Sequence, residues 1–320
     1  MMSLIQASNW KMLIHRILEL EQDDNIYFIE ESYSSLKNIP LSLQYLENIL
    51  NDPPSGIYGV NDENGNIIAL TFFNPEDGEI PGFWAVFTSV VASIPEPNNS
   101  SKRFSEIAVE FSFAGIYSTT RDEFNTALME YYSCALADRQ LCENCITENE
   151  PYGMVYIQSR NVRLKELVSR FDLSGKMLEI CCGNGMSTLP LHELGYDPLT
   201  LDIDKCQVCQ GLEHEVLKPE RTVVMDATRL SEFFPQGSFD TIVSFMLGTI
   251  YGFNKSLWEK MMHESVKLLK PGGMILLTVN KKEEMDILNE ALTGLVHGEI
   301  IDNTDDRGIY DQWVYLGYKS

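Results

Sequence analysis

Residues 176–188 constrain the fold of this chain more than any other stretch. They begin with a short apolar run around Glu179, continue through Gly183 and Gly185, and lead into polar residues that can open a helix. This order predicts a buried β-strand, a glycine-containing turn and the start of a helix. Glycine lets the backbone of the turn approach a ligand closely, because no Cβ obstructs it. The helix N-terminus adds unpaired N–H groups at the same place.

Strands and helices are predicted to alternate from residue 176 onwards. After the first strand, strands are expected at 198–202, 222–227, 240–245 and 274–279, helices at 187–194, at about 205–217 and from 256, and a final hairpin at 298–301 and 309–318. Such alternation builds a parallel sheet with helices on both faces. We therefore predict an α/β fold: a doubly wound, mostly parallel seven-stranded sheet with an antiparallel terminal hairpin.

Three of the predicted strands end in an acidic residue. Glu179, Asp202 and Asp226 each lie at the carboxyl end of a different strand. In open α/β sheets, ligands bind beyond the carboxyl ends of the strands, where the topology reverses. A single acid at such a position is usually a cap or a turn former, but three of them beside a glycine turn favour a binding site.

The first half of the chain has a different pattern. Leu13–Leu18 and Leu41–Leu50 carry apolar residues at helical spacing, whereas 57–60 and 67–73 read as strands joined by a turn at Asn64-Gly65. This pattern predicts an α+β domain and names no chemistry. We place the boundary near 145–155, which divides the chain into an N-terminal domain at 1–150 and a second domain at 151–320.

Charge and hydropathy exclude several classes of function. The net charge is −23, and residues 1–150 hold 7 Lys and Arg against 23 Asp and Glu, while residues 151–320 hold 17 against 24. A nucleic-acid partner is not expected, because binding a polyanion needs a basic surface. Polar residues interrupt the first twenty positions, and no apolar run is long enough to span a bilayer. We expect a cytoplasmic protein without a membrane partner.

Two pairs of cysteines have the spacing of zinc ligands. Cys142 and Cys145 form one Cys-x-x-Cys pair, and Cys206 and Cys209 form another. A zinc site formed by both pairs is one hypothesis, although 60 residues separate them. Cys134 joining the first pair is a second possibility, and ordinary buried or exposed thiols are a third.

The strand, turn and acidic residues together resemble the class I S-adenosylmethionine-dependent methyltransferases. The resemblance covers roughly residues 155–320. The family pattern of an acid followed by three alternating glycines corresponds to Glu179–Gly185, with Cys181 in place of the first glycine. Residues 270–273, Lys-Pro-Gly-Gly, and the terminal hairpin are also typical of the family. The N-terminal half resembles no family that we can name.

The resemblance implies a role for each residue at the nucleoside end of S-adenosylmethionine. Asp202 would accept hydrogen bonds from both ribose hydroxyls, and Ile203 would pack on the adenine. Asp226 would accept from the exocyclic amine, and the Ala227 N–H would reach the ring. A cofactor with a sulfonium cation, a diol and an aromatic amine suits a site lined by acceptors.

The resemblance also implies the contacts of the methionine end. Gly183 and Gly185 would admit the methionine moiety beside Cys181. Its amino group would meet Glu179 and the Ser244 carbonyl.

Tyr156 and Arg160 are placed to reach the cofactor carboxylate. The alternative interpretation of both residues is the start of a surface helix.

Nicotinamide cofactors fit less well. The Gly-x-Gly-x-x-Gly pattern fails because Thr188 stands at the third glycine position, and Glu179 would sit close to a phosphate. No catalytic base can be assigned among Tyr152, Tyr156, Tyr251 and His263. Ser244–Leu247 also lacks the Asn/Asp-Pro-Pro-Tyr run of enzymes that methylate nucleic-acid amines.

The predicted function is therefore methyl transfer to a small molecule or a protein. The alternative hypothesis is a non-catalytic module that binds S-adenosylmethionine or senses a metal through the paired cysteines.

Overall fold

The computed structural model describes residues 11–89, 98–141, 157–306 and 308–320. The chain divides into two compact units, Met1–Asn144 and Cys145–Ser320. The boundary predicted between 150 and 151 falls among residues 142–156, outside the described residues, and stays a prediction.

The N-terminal unit contains a five-stranded mixed sheet. Its strands are β1 (Ile26–Phe28), β2 (Tyr58–Asn61), β3 (Ile67–Asn74), β4 (Phe83–Thr88) and β5 (Gly115–Ser118), in the order β1-β4-β3-β2-β5. Its helices are α1 (Leu13–Ile17), α2 (Pro40–Ile49), α3 (Asn99–Ala108) and α4 (Arg121–Ala137). One core cluster joins the sheet to α2 and α3 through residues such as Phe72, Phe87, Leu46 and Phe104. Gly65, at φ +79°, forms the turn between β2 and β3.

The C-terminal unit contains a seven-stranded sheet. Its strands are β6 (Met177–Ile180), β7 (Leu199–Asp202), β8 (Thr222–Val224), β9 (Phe239–Ser244), β10 (Leu269–Val279), β11 (Val296–Asp302) and β12 (Trp313–Lys319). The order is β11-β12-β10-β9-β6-β7-β8. Strands β10, β9, β6, β7 and β8 pair in parallel, whereas β12 is antiparallel to both β10 and β11. The predicted doubly wound sheet with an antiparallel terminal hairpin is confirmed.

Five helices accompany this sheet in the described residues. They are α5 (Gln158–Val168), α6 (Thr188–Glu193), α7 (Lys205–Glu213), α8 (Lys255–Leu268) and α9 (Lys282–Leu292). The strand predicted at 222–227 ends earlier, at Val224. Its expected last residues instead open a 3-10 turn at Ala227–Glu232, because the Asp226 carboxylate caps the N–H of Thr228 at 2.8 Å.

The sheet topology defines where a ligand can enter. The chain runs from β6 to β7 and β8 on one side, and then returns to place β9 on the other side of β6. The crevice beyond the carboxyl ends of β6 and β9 is therefore the topological switch point. None of the helices in the described ranges is long and apolar enough to cross a membrane.

Candidate functional site

Glu179 is the second-last residue of β6, at the strand end that borders the switch point. Its side chain is fully buried, and its Oε2 accepts a hydrogen bond of 2.7 Å from the Thr188 hydroxyl. Its Oε1 is buried without a hydrogen-bond partner among the described residues. Burial raises the pKa of Glu179 to about 8, which Thr188 and the nearby Arg160 oppose and Asp202 reinforces. An unpaired buried acceptor is costly unless a ligand donates to it.

Cys181 stands at the first position of the turn after β6. Its φ is +56°, in the left-handed region that glycine usually occupies. Its Sγ lies 3.8 Å from the Sδ of Met261. Burial, followed by the charges of Asp202 and Glu179, holds the pKa of the thiol far above its ordinary value. The replacement of glycine is therefore compatible with the turn, and the thiol stays protonated.

The two glycines of the turn serve different purposes. The Gly183 N–H donates to Asp202 Oδ2 at 2.9 Å, and a Cβ at Gly183 would meet only Gln207 Oε1 at 3.7 Å. Packing among the described residues therefore leaves room for a Cβ at Gly183, and the space beside it is a candidate place for a ligand. A Cβ at Gly185 would lie 2.6 Å from the Val216 side chain. Packing within the domain thus requires Gly185, a reason that the sequence did not reveal.

Two strand-end carboxylates retain acceptor capacity beside this turn. Asp202 accepts one N–H from Gly183 on Oδ2 and one from Asp204 on Oδ1, and Asp226 accepts the Thr228 N–H on Oδ1. A carboxylate offers about four acceptor sites, so both can accept further hydrogen bonds. Ile203, between them in sequence, is 67% exposed, which is unusual for an isoleucine.

Ser244 and Ala227 complete the rim of the sheet. The Ser244 hydroxyl donates to the Ile180 carbonyl at 2.7 Å, which joins the carboxyl ends of β9 and β6. Ala227 is buried and opens the 3-10 turn after Asp226.

Arg160 also reaches this rim, from the first turn of α5. Its side chain is buried rather than part of an exposed helix surface. Its Nε donates to Asp311 Oδ2 at 3.0 Å, its Nη2 donates to the Ser187 hydroxyl at 3.1 Å, and the guanidinium lies 5.1 Å from the centre of the Tyr310 ring. Tyr156 lies outside the described residues.

Sequence reasoning missed Asp311. It lies two residues before β12, and the register pairs Trp313 with Val279, the last residue of β10. Because the two strands are antiparallel, the start of β12 meets the carboxyl end of β10 at the rim. The predicted hairpin contained this signal, but the search for acids considered only the ends of parallel strands.

The predicted zinc ligands do not form a site in the described ranges. On α7, Cys206 is exposed and Cys209 is buried. No group of three or more His, Cys, Asp or Glu residues in the described part of the chain could hold a metal. Cys142 and Cys145 lie outside the described residues, and nothing supports the zinc hypothesis.

The four residues considered as a general base are not assigned a catalytic role by the described structure. His263 is exposed on α8, and Tyr251 is half exposed and stacks on Phe253 with 5.3 Å between ring centres. Tyr152 and Tyr156 lie outside the described residues.

The doubly wound sheet and its acidic rim have the arrangement in which α/β domains bind ligands beyond the carboxyl ends of their strands. Residues 177–273 match the family model described as a methyltransferase domain. This match agrees with the resemblance to the class I methyltransferases that the sequence predicted for the C-terminal unit.

Three of the solved structures that are similar to this chain each cover about half of it. A Pyrococcus horikoshii protein is 18% identical over 54% of this chain and 99% of its own, with a TM-score of 0.42. A Thermotoga maritima S-adenosylmethionine-dependent methyltransferase, described as a possible histamine N-methyltransferase, is 14% identical over 53% of this chain and 95% of its own, with a TM-score of 0.38. Geranyl diphosphate C-methyltransferase from Streptomyces coelicolor is 12% identical over 50% and 80%, also at 0.38. Curated proteins gave no match.

Proposed function

We propose that the C-terminal unit binds S-adenosylmethionine at this rim and that the protein transfers the methyl group to a small molecule or a protein. The observation that carries the proposal is the unpaired, buried Oε1 of Glu179 next to the carboxylates of Asp202 and Asp226. A rim rich in acceptors suits a cofactor that presents an ammonium, a sulfonium, a diol and an aromatic amine.

The nucleoside half is assigned to the strand ends of β7 and β8. Asp202 accepts from the ribose hydroxyls with the lone pairs that Gly183 and Asp204 leave unused. Ile203 offers its exposed side chain to the adenine face. Asp226 accepts from the adenine amine, and the Ala227 N–H donates to the ring.

The methionine half is assigned to the space beside Gly183. Glu179 and the Ser244 carbonyl accept the ammonium, which gives the unpaired Oε1 a donor. Arg160 receives the carboxylate, with Tyr156 as a further proposed contact. Both charges of the amino-acid group thus find a partner of opposite sign.

The bound cofactor supplies a methyl carbon already activated by its sulfonium. The protein's own residues hold and align the reactants and exclude water, which is where most of the rate enhancement arises. A general base is needed only for an acceptor that keeps its proton at neutral pH. We further propose that the N-terminal unit selects the acceptor, and its strongly acidic composition disfavours a polyanion.

Calorimetric titration with S-adenosylmethionine and S-adenosylhomocysteine tests the proposal, with NAD as the control. We expect dissociation constants in the micromolar range, about −8 kcal/mol, for the sulfur compounds and no binding of NAD. Asp202→Ala should abolish binding. Binding that is unchanged in this variant would refute the assignment of the ribose site.

Turnover is tested separately, by following the labelled methyl group into candidate acceptors. Binding without transfer to any amine, thiol, hydroxyl or carbon acceptor, small or protein, would favour the non-catalytic alternative.

A further inference from the structure

Asp311 is a buried acid at the rim that none of the roles above uses. Its side chain is 3% exposed, and its backbone has φ +54° in the left-handed region. A buried carboxylate in a strained conformation persists only where surrounding contacts determine it.

Three segments meet at Asp311. Its Oδ1 accepts a hydrogen bond of 2.5 Å from the Thr278 hydroxyl near the end of β10. The same hydroxyl accepts the Met246 N–H at 2.7 Å, just after β9. The Asp311 carbonyl accepts from the Asn303 side chain at 2.8 Å, between β11 and β12. These hydrogen bonds hold the Asp311 carboxylate in one position relative to the strand ends.

Asp311 contacts one edge of the Arg160 guanidinium, where Nη2 also donates to the Ser187 hydroxyl at 3.1 Å. The Nε and Nη2 of Arg160 face Asp311, at 3.0 and 3.5 Å. In the described part of the chain, its Nη1 contacts only the Sδ of Met186, at 3.7 Å, and a thioether is a weak acceptor. Among the described residues, the outer nitrogen of a buried cation therefore lacks a strong acceptor, and Met186 belongs to the turn that begins at Cys181.

The charges agree with an anionic ligand group at this nitrogen. Arg160 also lies close enough to Glu179 to lower the pKa of that carboxyl. The rim therefore carries a cationic donor near an unpaired buried acceptor, a pattern that matches the carboxylate and ammonium of an amino acid.

We propose that Asp311 is a positioning residue that fixes the Arg160 guanidinium so that its Nη1 receives the carboxylate of the cofactor's amino-acid end. This inference rests on the proposed function. Asp311 does not touch the cofactor. It sets the direction of Arg160, and thereby the preference of the site for ligands that retain the amino-acid group.

Two ligands separate this role from a purely structural one. S-adenosylhomocysteine carries the amino-acid group, whereas 5′-methylthioadenosine shares its nucleoside and thioether but lacks that group. We expect Asp311→Asn to weaken the first about tenfold, the usual order for a charge-assisted hydrogen bond, and to leave the second within about twofold. Calorimetry of the full chain measures both.

Arg163 provides the matched control. It lies one turn further along α5, is also buried, and donates to the Asn303 carbonyl of the same hairpin at 2.7 Å. Arg163→Met should lower the melting temperature without changing the preference between the two ligands. Thr278→Val, which removes one donor to Asp311, provides a second variant should Asp311→Asn fold poorly, and we expect about a threefold loss for S-adenosylhomocysteine alone.

The outcomes are distinguishable. Equal weakening of both ligands by Asp311→Asn, or no change in either, would show that Asp311 only anchors the hairpin and would overturn the inference. A wild-type protein that binds neither ligand would refute the proposed function, and the inference with it.

Discussion

Two glutamates are buried to a similar degree, one in each unit. Glu30 is 3% exposed and Glu179 is fully buried, and each has one carboxylate oxygen without a partner in the described structure. Burial raises the pKa of both. The difference lies in the partners of the other oxygen. Glu30 Oε1 accepts a hydrogen bond from the backbone N–H of Ser42 in the first turn of α2. Glu179 Oε2 instead accepts one from the Thr188 hydroxyl, just after the glycine turn.

This difference separates a structural carboxylate from a candidate binding group. A carboxylate on the N–H groups of a helix N-terminus satisfies donors that the helix leaves unpaired and interacts favourably with its dipole. The Oε1 of Glu30 therefore has a structural explanation within its own unit. Glu179 instead shares its surroundings with Arg160 and Asp202, which belong to the rim where a ligand is expected. Burial alone does not single out a candidate site, but burial beside other charged groups at the strand ends does.

Replacing Glu179 should weaken ligand binding strongly, whereas replacing Glu30 should not. Glu179→Gln keeps the shape and an acceptor for Thr188 but cannot carry a negative charge, so S-adenosylhomocysteine should bind roughly 10- to 100-fold more weakly. Glu30→Gln should leave the affinity within about twofold. Calorimetry on both variants measures the contrast, and an equal loss in the two would remove the distinction between them.

Glu179→Gln should weaken ligand binding but increase the free energy of unfolding of the ligand-free protein. A carboxyl whose pKa is raised on folding stabilises the protein below its unfolded pKa, near 4.5, and this contribution is lost as the pH rises towards about 8. The glutamine of Glu179→Gln does not ionise, so the variant keeps its stability as the pH rises. Without ligand, the difference in the free energy of unfolding between the variant and wild type should therefore grow between pH 4.5 and 8. We expect on the order of 1–3 kcal/mol at pH 7.5. Denaturant unfolding at several pH values measures it, and a difference independent of pH would contradict the assignment.

The same titration should couple to ligand binding. An ammonium next to Glu179 favours its ionised form, so binding below pH 8 should release a proton. The affinity for S-adenosylhomocysteine should then rise between pH 6 and 8, by at most about tenfold per unit. Calorimetry in buffers of different ionisation enthalpy counts the proton. Glu179→Gln should abolish the release, whereas its persistence in that variant would point to another group.

The acidic residues at the ends of the parallel strands were predictable from the sequence, because the local pattern of apolar residues shows where a strand ends. Glu179, Asp202 and Asp226 follow apolar runs, and parallel strands bring their carboxyl ends to one edge. Asp311 was not found, because it precedes an antiparallel strand and its place depends on the pairing of β12 with β10. The packing role of Gly185 was missed for a similar reason: Val216 lies 31 positions further along the chain, and only the folded domain brings the two into contact.

Cys181 and Cys182, in the turn that follows Glu179, should differ slightly in how they tolerate glycine. Cys181 has φ +56°, whereas its neighbour Cys182 does not have a positive φ, and both are close enough to Glu179 for its charge to raise their pKa values. Alanine normally stabilises a chain relative to glycine by about 0.5–1 kcal/mol, but a left-handed backbone costs a residue with a Cβ about 1–2 kcal/mol. Cys181→Gly should therefore be at least as stable as Cys181→Ala, by up to about 1 kcal/mol, and the order should reverse at Cys182. Thermal unfolding of the four variants decides this. If alanine were more stable than glycine at both positions, the turn after Glu179 would not require a left-handed backbone at residue 181. The backbone geometry assumed for the ligand site beside Gly183 would then be wrong.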